Sequence, residues 1–246
     1  MNSGNSTIAA TETIAATDRP EWLRSVEERG YALIPDVWSA REVLALLVSL
    51  ADLSSRPGRA GIRHVLHHPV VSVIANDRRL LDMAQTVLGE NAFPFRATLF
   101  DKSPDANWLV SWHQDTALPL VEKIETPGWG PWSVKDGFHY AHAPANALNK
   151  VLALRLHFDD STPANGPLRV LSGTHRMGVL TDDDVARLAA ELESVECLIS
   201  KGGILAIRPL IIHASSKSQS QIPRRVLHIE YAAPGIVPQP LQLSTT

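Results

Sequence analysis

The sequence has almost no cysteine, since Cys197 is the only one among 246 residues. A single cysteine cannot form an intrachain disulfide, which excludes a disulfide-stabilised scaffold and favours a reducing compartment. Long apolar runs are also missing: none approaches the roughly 20 residues that a membrane-spanning helix needs. The first residues lack the apolar core of a secretory signal. We therefore expect a cytoplasmic protein without a membrane partner.

An excess of charge of one sign is absent as well, because 23 lysines and arginines stand against 26 aspartates and glutamates. Nucleic-acid-binding domains carry a concentrated basic surface, so we expect no nucleic acid as a partner. Hydrophobic residues make up 44% of the chain and charged residues 20%, which is typical of a globular protein. These proportions leave the oligomeric state open.

The composition changes along the chain and predicts one domain between two tails. Residues 1–18 are rich in serine, threonine and alanine without periodicity, so we expect a disordered N-terminal tail. Residues 19–233 are expected to form a single domain. Residues 234–246 contain three prolines and are expected to form an extended, lightly attached C-terminal tail.

Helix signals precede the strand signals in the predicted domain. Helices are expected over residues 21–29, after a capping box at Ser39–Glu42, over 78–88 and over 182–193. Short apolar runs bounded by turn residues predict strands over 31–34, 93–100, 151–158, 168–171, 204–212 and 225–232. This order predicts a mainly β domain, a sandwich or barrel, with flanking helices.

Residues 119–149 are aromatic but have no strand pattern. Loops of this length are uncommon and are usually functional or disordered, and the aromatic content argues against disorder. We interpret the segment as a loop that covers a substrate; the alternative is an aromatic plug under the barrel. The candidate substrate contacts within it are Trp129, Trp132, Lys135, His139 and His142.

Three histidines stand two residues before a carboxylate. The pairs are His113 with Asp115, His157 with Asp159, and His228 with Glu230. In an extended segment, residues i and i+2 point to the same side, so each pair could give one nitrogen and one oxygen to a metal. A distant second histidine would complete the facial site of two histidines and one carboxylate that non-haem iron enzymes use.

Context favours one pair without excluding the others. His113 follows a strand and opens the aromatic segment, where a ligand can enter, whereas His157 lies within an apolar strand. Downstream, His213 ends an apolar run, and a polar loop then leads to Arg224 and Arg225. An arginine returning beside His213 could hold a carboxylate through two hydrogen bonds, although a surface arginine pair is the plainer interpretation.

In chain order these residues resemble the phytanoyl-CoA dioxygenase family of Fe(II)/2-oxoglutarate oxygenases. The motifs that carry the resemblance are GYALIP at 30–35, KSPD at 102–105, HQD at 113–115, NGPLRVLSGTH at 165–175, HAS at 213–215 and the arginine at 224. Two features depart from the family: Ala214 replaces the usual glycine after the distal histidine, and the aromatic segment is longer than in many members. The resemblance places the His157–Asp159 pair before the Asn-Gly turn, away from the ligand positions.

The resemblance implies a double-stranded β-helix, the jelly-roll core also found in cupins. It implies that His113, Asp115 and His213 are the catalytic metal ligands and bind Fe(II). The 2-oxoglutarate cosubstrate would be held by Arg224 and Ser215, and Arg155 and Gln114 are weaker candidates for the same role.

The implied reaction consumes O2, releases succinate and CO2, and hydroxylates or otherwise oxidises a C–H bond of a small organic molecule, with ascorbate as the reductant in vitro. The resemblance does not identify that molecule. One alternative is a non-catalytic metal-binding barrel that acts as a sensor or binding protein, which would not need the arginine clamp. A cupin-like isomerase, or a dioxygenase that uses no 2-oxoglutarate, is a further alternative.

Overall fold

A computed structural model describes residues 19–54, 61–104 and 106–246. The expected tail over 1–18 and Asp105 of the KSPD motif lie outside the described residues. The helices are α1 Glu21–Arg29, α2 Ala40–Ser49, α3 Ala51–Ser54, α4 Pro69–Ala75, α5 Arg78–Leu88, α6 Ala145–Leu148 and α7 Asp182–Glu191. The strands are β1 Tyr31–Ile34, β2 Gly61–Arg63, β3 Phe93–Lys102, β4 Val110–His113, β5 Ala117–Leu120, β6 Trp132–Lys135, β7 Phe138–His142, β8 Val151–His157, β9 Leu168–Val170, β10 Val195–Glu196, β11 Ile204–Ile207, β12 His213–Ser215 and β13 Arg224–Ala232. None of the helices in these ranges is long and apolar enough to cross a bilayer.

The helix ends follow local signals in the sequence. Helix α1 ends as predicted at Gly30, which adopts the left-handed conformation (φ +87°) that favours glycine. At α2 the predicted capping box is present, because Ser39 and Glu42 satisfy each other's backbone N–H groups. Helix α5 spans the predicted residues, and α7 ends at Glu191, two residues before the predicted end.

The strands form two antiparallel sheets that face each other and a smaller third sheet. The large sheet has six strands in the order β1-β11-β8-β13-β3-β2, and the opposing sheet has four in the order β10-β9-β12-β4. Their facing sides share buried side chains, among them Ala153 and Leu205 from the large sheet and Val170 from the small one. The outer face of the large sheet packs on the helices through β8 residues such as Leu154 and Leu156. The predicted mainly β jelly-roll core with flanking helices is confirmed.

The predicted single strand over 204–212 is wrong. Strand β11 ends at Ile207, and the chain turns before β12 begins at His213 in the opposite sheet. Pro209 lies in this turn and has no N–H to continue the ladder, while Arg208 donates its backbone N–H to the Gly30 carbonyl. The break carries the chain from one sheet to the other and places His213 on the inner face.

The segment 119–149 is not a structureless loop. Strands β5, β7 and β6 form a three-stranded antiparallel sheet, and α6 follows them. A two-residue turn joins β6 to β7, with Asp136 at φ +51° and Gly137 at φ +88°. Asp-Gly is a preferred pair for such hairpin turns, and this was the strand signal in a sequence that otherwise lacks alternation.

The C-terminal segment is irregular but firmly attached, so the expected light attachment is wrong. Thr246 and Leu241 are buried, and the Thr246 backbone exchanges hydrogen bonds with Phe95 and Ala97 of β3. Leu243 forms a bridge with Leu120 of β5. Prolines prevented a regular strand here, but the apolar side chains between them still pack against the domain.

Candidate metal centre

Two neighbouring strands of the four-stranded sheet bring the candidate metal ligands together. His113, the last residue of β4, lies directly opposite His213, the first residue of β12, and their ring centres are 4.3 Å apart. The backbone N–H of Asp115 donates to the Pro209 carbonyl at 2.9 Å. This bond fixes Asp115 beside both histidines, and residues 100 positions apart in sequence become neighbours.

Both imidazole rings have a defined tautomer. Nδ1 of His113 lies 2.8 Å from the Ser111 carbonyl, and Nδ1 of His213 lies 2.9 Å from the Ile211 carbonyl. A carbonyl oxygen can only accept, so each Nδ1 carries a proton, and in the neutral ring the Nε2 lone pair is the one available to a metal. Metal-binding histidines are usually oriented by such a bond from the second ring nitrogen.

The lone pairs converge on the carboxylate of Asp115. The His113 Nε2 atom is 3.6 Å from one oxygen and the His213 Nε2 atom is 3.5 Å from the other. One donor atom from each residue lies within 4.8 Å of the others, and within the described ranges this is the one cluster of three such side chains. Two neutral imidazoles and one carboxylate match the donor set of non-haem Fe(II) sites.

Charges within the cluster favour the forms that bind a cation. Burial raises the pKa of Asp115, but the neighbouring His213 and His113 lower it more, so that it lies well below its usual value. Burial lowers the pKa of His213 to about 4. At neutral pH, Asp115 is therefore ionised and His213 neutral, as metal ligands must be. Burial lowers the pKa of His113, but the hydrogen bond and the charge of Asp115 raise it more, so metal binding has to displace any proton on its Nε2 atom.

A cavity of about 760 Å³ opens beside the three ligands and has the inner face of the large sheet as its floor. Three rows of paired residues cross this floor. Arg224 of β13 pairs with Lys102 of β3, His228 pairs with Arg155 of β8 and with Thr98 of β3, and Glu230 pairs with Arg96 of β3. The rows differ in charge: the first two carry cations, whereas the third is a buried Arg96–Glu230 ion pair.

Three buried basic side chains of the floor strands have no anionic partner among the described residues. Lys102, Arg155 and Arg224 are each less than a tenth exposed, and no carboxylate of a described residue lies within 4 Å of them. Arg224 donates to the Asn165 carbonyl at 3.2 Å, and Arg155 donates to Nδ1 of His228 at 2.9 Å. Burying unneutralised charge is costly, so this arrangement fits an anionic ligand.

Lys102 loses its proton more readily than an ordinary lysine because it is buried beside two other basic side chains. Burial, together with the charges of Arg224 and Arg155, lowers its pKa to about 7. Its ammonium group donates to Ser215 Oγ at 2.8 Å and to the Ser216 carbonyl at 2.6 Å. Ser215 Oγ donates in turn to the Gly166 carbonyl at 2.9 Å. Lys102 and Ser215 therefore lie together beside Arg224, at one end of the cavity.

The turn at Asn165–Gly166 needs glycine for two reasons. Gly166 has a φ of +65°, and a Cβ on it would lie 2.3 Å from the Ser216 carbonyl oxygen. Any side chain at this position would push apart the strand that carries Ser215 and the turn that accepts the Arg224 hydrogen bond.

Strand alternation separates the two adjacent arginines as predicted. Arg224 lines the cavity, whereas Arg225 is directed away from it and binds Asp159 through two hydrogen bonds of 2.8 and 2.7 Å. This pairing occupies Asp159, and His157 is buried with both ring nitrogens unpartnered among the described residues. The His157–Asp159 alternative for the metal pair is therefore wrong.

Gln114 does not line the cavity, which contradicts its candidacy as a cosubstrate contact. Its amide donates to the carbonyls of Gly178 and Leu210 at 2.9 and 2.7 Å, and its oxygen accepts from the backbone of Leu180 at 2.8 Å. The side chain points away from its neighbours His113 and Asp115 because it lies between them in an extended segment. Its role in the structure is to fasten the loop behind the metal ligands.

Of the five substrate candidates in 119–149, only Lys135 lines the cavity. Trp129 is buried in a separate apolar cluster with Phe95 and Leu148, and Trp132 packs against that cluster. His139 lies within the three-stranded sheet, and Nδ1 of His142 is hydrogen-bonded to Thr116. The aromatic plug weighed as the alternative is the better account of the two tryptophans, because their rings stabilise the three-stranded sheet from behind.

Trp129→Ala is therefore expected to destabilise the protein. Removing a buried aromatic side chain costs about 3–5 kcal/mol, and Trp129 is only 8% exposed. Urea unfolding monitored by circular dichroism should show the lower midpoint, and the folded fraction should keep its affinity for Fe(II) and 2-oxoglutarate. An unchanged midpoint together with lost substrate turnover would restore the covering-loop interpretation.

Several cavity residues were not among the sequence candidates. Trp108, Tyr140 and Arg96 line the cavity, as does Phe100, whose ring lies 6.5 Å from that of Trp108. Lys102 does not line the cavity itself, but its ammonium group contacts Ser215, which does. Alternation along β3 could have placed Arg96, Phe100 and Lys102 on one face, but the sequence did not reveal which face.

Comparison with known proteins agrees with this geometry. Residues 26–226 match the family model described as Phytanoyl-CoA dioxygenase (PhyH). A curated relative, the ectoine dioxygenase of Sphingopyxis alaskensis, is 28% identical over 163 residues, which cover 60% of this chain and 46% of the relative. The chain thus spans about half the length of the curated relatives it matches.

Solved structures match over more of the chain. AviO1 from Streptomyces viridochromogenes Tue57 superposes with a TM-score of 0.68 at 21% identity, covering 92% of this chain and 100% of that one. EctD from S. alaskensis, solved with 2-oxoglutarate and 5-hydroxyectoine, gives a TM-score of 0.66 at 21% identity, covering 93% of this chain and 79% of that one. At these identities the matches establish the shared fold.

Proposed function

The chain belongs to the phytanoyl-CoA dioxygenase family, whose model matches residues 26–226, and from this premise we propose that it is an Fe(II)/2-oxoglutarate-dependent oxygenase acting on a small organic substrate. The observation that carries the proposal is the convergence of the Nε2 atoms of His113 and His213 on the Asp115 carboxylate. His113, Asp115 and His213 would hold the metal. The buried, unneutralised cations beside them supply an independent reason to expect an anionic cosubstrate.

The donor set fits Fe(II) and leaves room for other ligands. Three protein ligands on one side of an octahedral ion leave three positions for a chelating cosubstrate and O2. Asp115 contributes a carboxylate where a smaller residue would leave a vacant position, so hydroxylation is the proposed outcome of the reaction. The backbone bonds from the two Nδ1 atoms hold the rings in the orientation that metal binding needs.

We assign the distal carboxylate of 2-oxoglutarate to Arg224 and Ser215, and add Lys102 to this clamp. Arg224 has a planar fork that matches a carboxylate, and among the described residues its side chain has one hydrogen bond, through Nε to the Asn165 carbonyl. Lys102 already contacts Ser215 Oγ, so an anion there would receive charge from two sides. Arg155, in the second row of the floor, remains a further candidate contact.

Fe(II) held by His113, Asp115 and His213, together with 2-oxoglutarate and O2, would supply the oxidising power: one oxygen atom of O2 would enter succinate, formed with CO2, and the other the C–H bond of the substrate. The residues of this chain bind and orient the cosubstrate, and they exclude water from the site. Arg224 and Lys102 orient the cosubstrate, and Phe100 and Trp108 give part of the wall an apolar, water-excluding surface. A sensor or binding protein would have no use for this dicarboxylate clamp. The buried, unpaired Cys197 is compatible with the cytoplasmic setting proposed here.

The proposal is tested by succinate release. The full chain is incubated with Fe(II), 2-oxoglutarate and ascorbate against panels of amino acids, acyl-CoA thioesters and secondary metabolites. At least one panel is expected to raise succinate above the substrate-free rate, with a product heavier by one oxygen atom. If succinate never forms, with or without a candidate substrate, the oxygenase proposal fails.

A further inference from the structure

We propose that Lys135 anchors an anionic group, a carboxylate or phosphate, of the organic substrate at the end of the cavity away from Arg224. The inference rests on the proposed function, because it names the chemical class of the substrate for that same site. The proposed function assigns the Lys135 ammonium group neither to the metal nor to 2-oxoglutarate.

The hairpin of β6 and β7 places Lys135 with little freedom. Lys135 is the last residue of β6, and the tight turn at Asp136 and Gly137 follows it. Two contacts from the end of β2 and the residue after it hold this turn: Arg63 lies 3.8 Å from the Asp136 carboxylate, and the His64 ring stacks on Phe138 with the ring centres 4.0 Å apart. The contacts position the backbone of Lys135, while its side chain is exposed at the mouth of the cavity.

The Lys135 side chain reaches the cavity across Tyr140. Its ammonium nitrogen is 5.1 Å from the Tyr140 ring centre, and the guanidinium of Arg96 is 5.7 Å from the same ring. Both residues line the cavity that also reaches Asp115. Burial and the neighbouring Arg63 and Arg96 lower the pKa of Lys135, so the positive charges at this end repel one another.

The other charged side chains at this end of the cavity are paired with one another or committed to the metal, and Lys135 is not. Glu230 neutralises Arg96, and Asp136 lies beside Arg63. Asp115 is committed to the metal. Lys135 has no carboxylate within 4 Å among the described residues, and it lines a cavity whose open volume of about 760 Å³ can admit an organic molecule.

The cosubstrate cannot supply the missing anion. Lys135 lies near Arg96, which pairs with Glu230, whereas the proposed clamp uses Arg224 of the same strand β13. Glu230 and Arg224 are six positions apart on this extended strand, so their backbones are separated by roughly 20 Å. The five-carbon 2-oxoglutarate is far shorter than this span. The anion that Lys135 fits therefore belongs to another molecule, and the metal ligands lie along the same cavity where one of its C–H bonds would be oxidised.

The test uses anions and neutral molecules of matched shape. 3-Phenylpropionate with 3-phenylpropionamide, and hexyl phosphate with hexanol, are titrated anaerobically by calorimetry into the full chain loaded with Fe(II) and saturating 2-oxoglutarate. Saturation keeps the probes out of the clamp. At least one anion is expected to bind about tenfold or more tightly than its neutral partner, as one charge-assisted hydrogen bond provides.

Variants assign this preference to one residue. Lys135→Met should abolish it, and Lys135→Arg should keep most of it. Lys123→Met is the control, because it removes the same charge from an exposed lysine that is paired with Glu125. Equal binding of anions and neutral partners, no binding of either, or a preference that survives Lys135→Met would each overturn the inference. A normal Fe(II)/2-oxoglutarate absorption band in the same sample would show that the proposed function stands regardless.

Discussion

Asp115→Ala is expected to abolish the visible absorption band that Fe(II) and 2-oxoglutarate produce together on the anaerobic protein, and to abolish succinate release with it. The band arises only when one protein site holds the metal and the chelating cosubstrate. Asp115 is the single carboxylate of the three-residue cluster, and its oxygens lie 3.6 and 3.5 Å from the two Nε2 atoms. Without it, two neutral imidazoles remain, and Fe(II) loses the one anionic ligand that partly neutralises it.

Asp159→Asn is the matched control for this experiment. Asp159 also stands two residues after a histidine, but its carboxylate is bound by Arg225, and both ring nitrogens of His157 are buried without a partner among the described residues. The control variant should keep the band at full intensity, with a small loss of stability detected by thermal unfolding. If Asp159→Asn lost the band while Asp115→Ala kept it, the metal ligands would be those of the other pair.

The sequence predicted the local elements with clear end signals. Gly30 and Gly89 ended helices where predicted, and the Ser39 capping box formed. Predictions failed where tertiary contacts, and not local signals, determine where a strand ends and which sheet it joins. The run 204–212 is apolar on both sides of Arg208, but Pro209 interrupts the ladder and its two halves belong to different sheets. Hydrophobicity alone cannot distinguish one buried strand from two.

Residue type and chain order predicted some members of the candidate site, whereas others depend on the direction in which a side chain points. His113, Asp115 and His213 were selected by residue type and order, and the structure brings them together. Side chains whose role depends on direction were less predictable. Gln114 is adjacent to two candidate ligands, but in an extended segment it points the opposite way and fastens a loop. Residue type does not reveal which of several tryptophans faces the cavity, so Trp129 was misplaced.

Arg224→Ala is expected to weaken 2-oxoglutarate binding by about one to two orders of magnitude. A charged hydrogen bond contributes roughly 1.5–3 kcal/mol, and this variant removes the guanidinium that faces the cavity beside Lys102 and Ser215. Burial and the charge of Arg155 lower the pKa of Arg224 to about 10, so at neutral pH it is still protonated and carries the charge that the carboxylate needs. The measurement is 2-oxoglutarate titration of the anaerobic Fe(II) protein, followed by the absorption band.

Arg225→Ala is the control for Arg224→Ala, because it removes an arginine that does not face the cavity. Arg225 is next to Arg224 on β13, but it faces outward and holds Asp159, so its loss should lower stability and leave the 2-oxoglutarate affinity of the folded protein near wild type. Arg224→Lys should fall between wild type and Arg224→Ala, because lysine keeps the charge but loses the planar fork. Circular dichroism establishes that each variant is folded before titration. Normal affinity in Arg224→Ala with a large loss in Arg225→Ala would contradict the clamp, because only the side chain that faces the cavity can contact a ligand bound beside the metal.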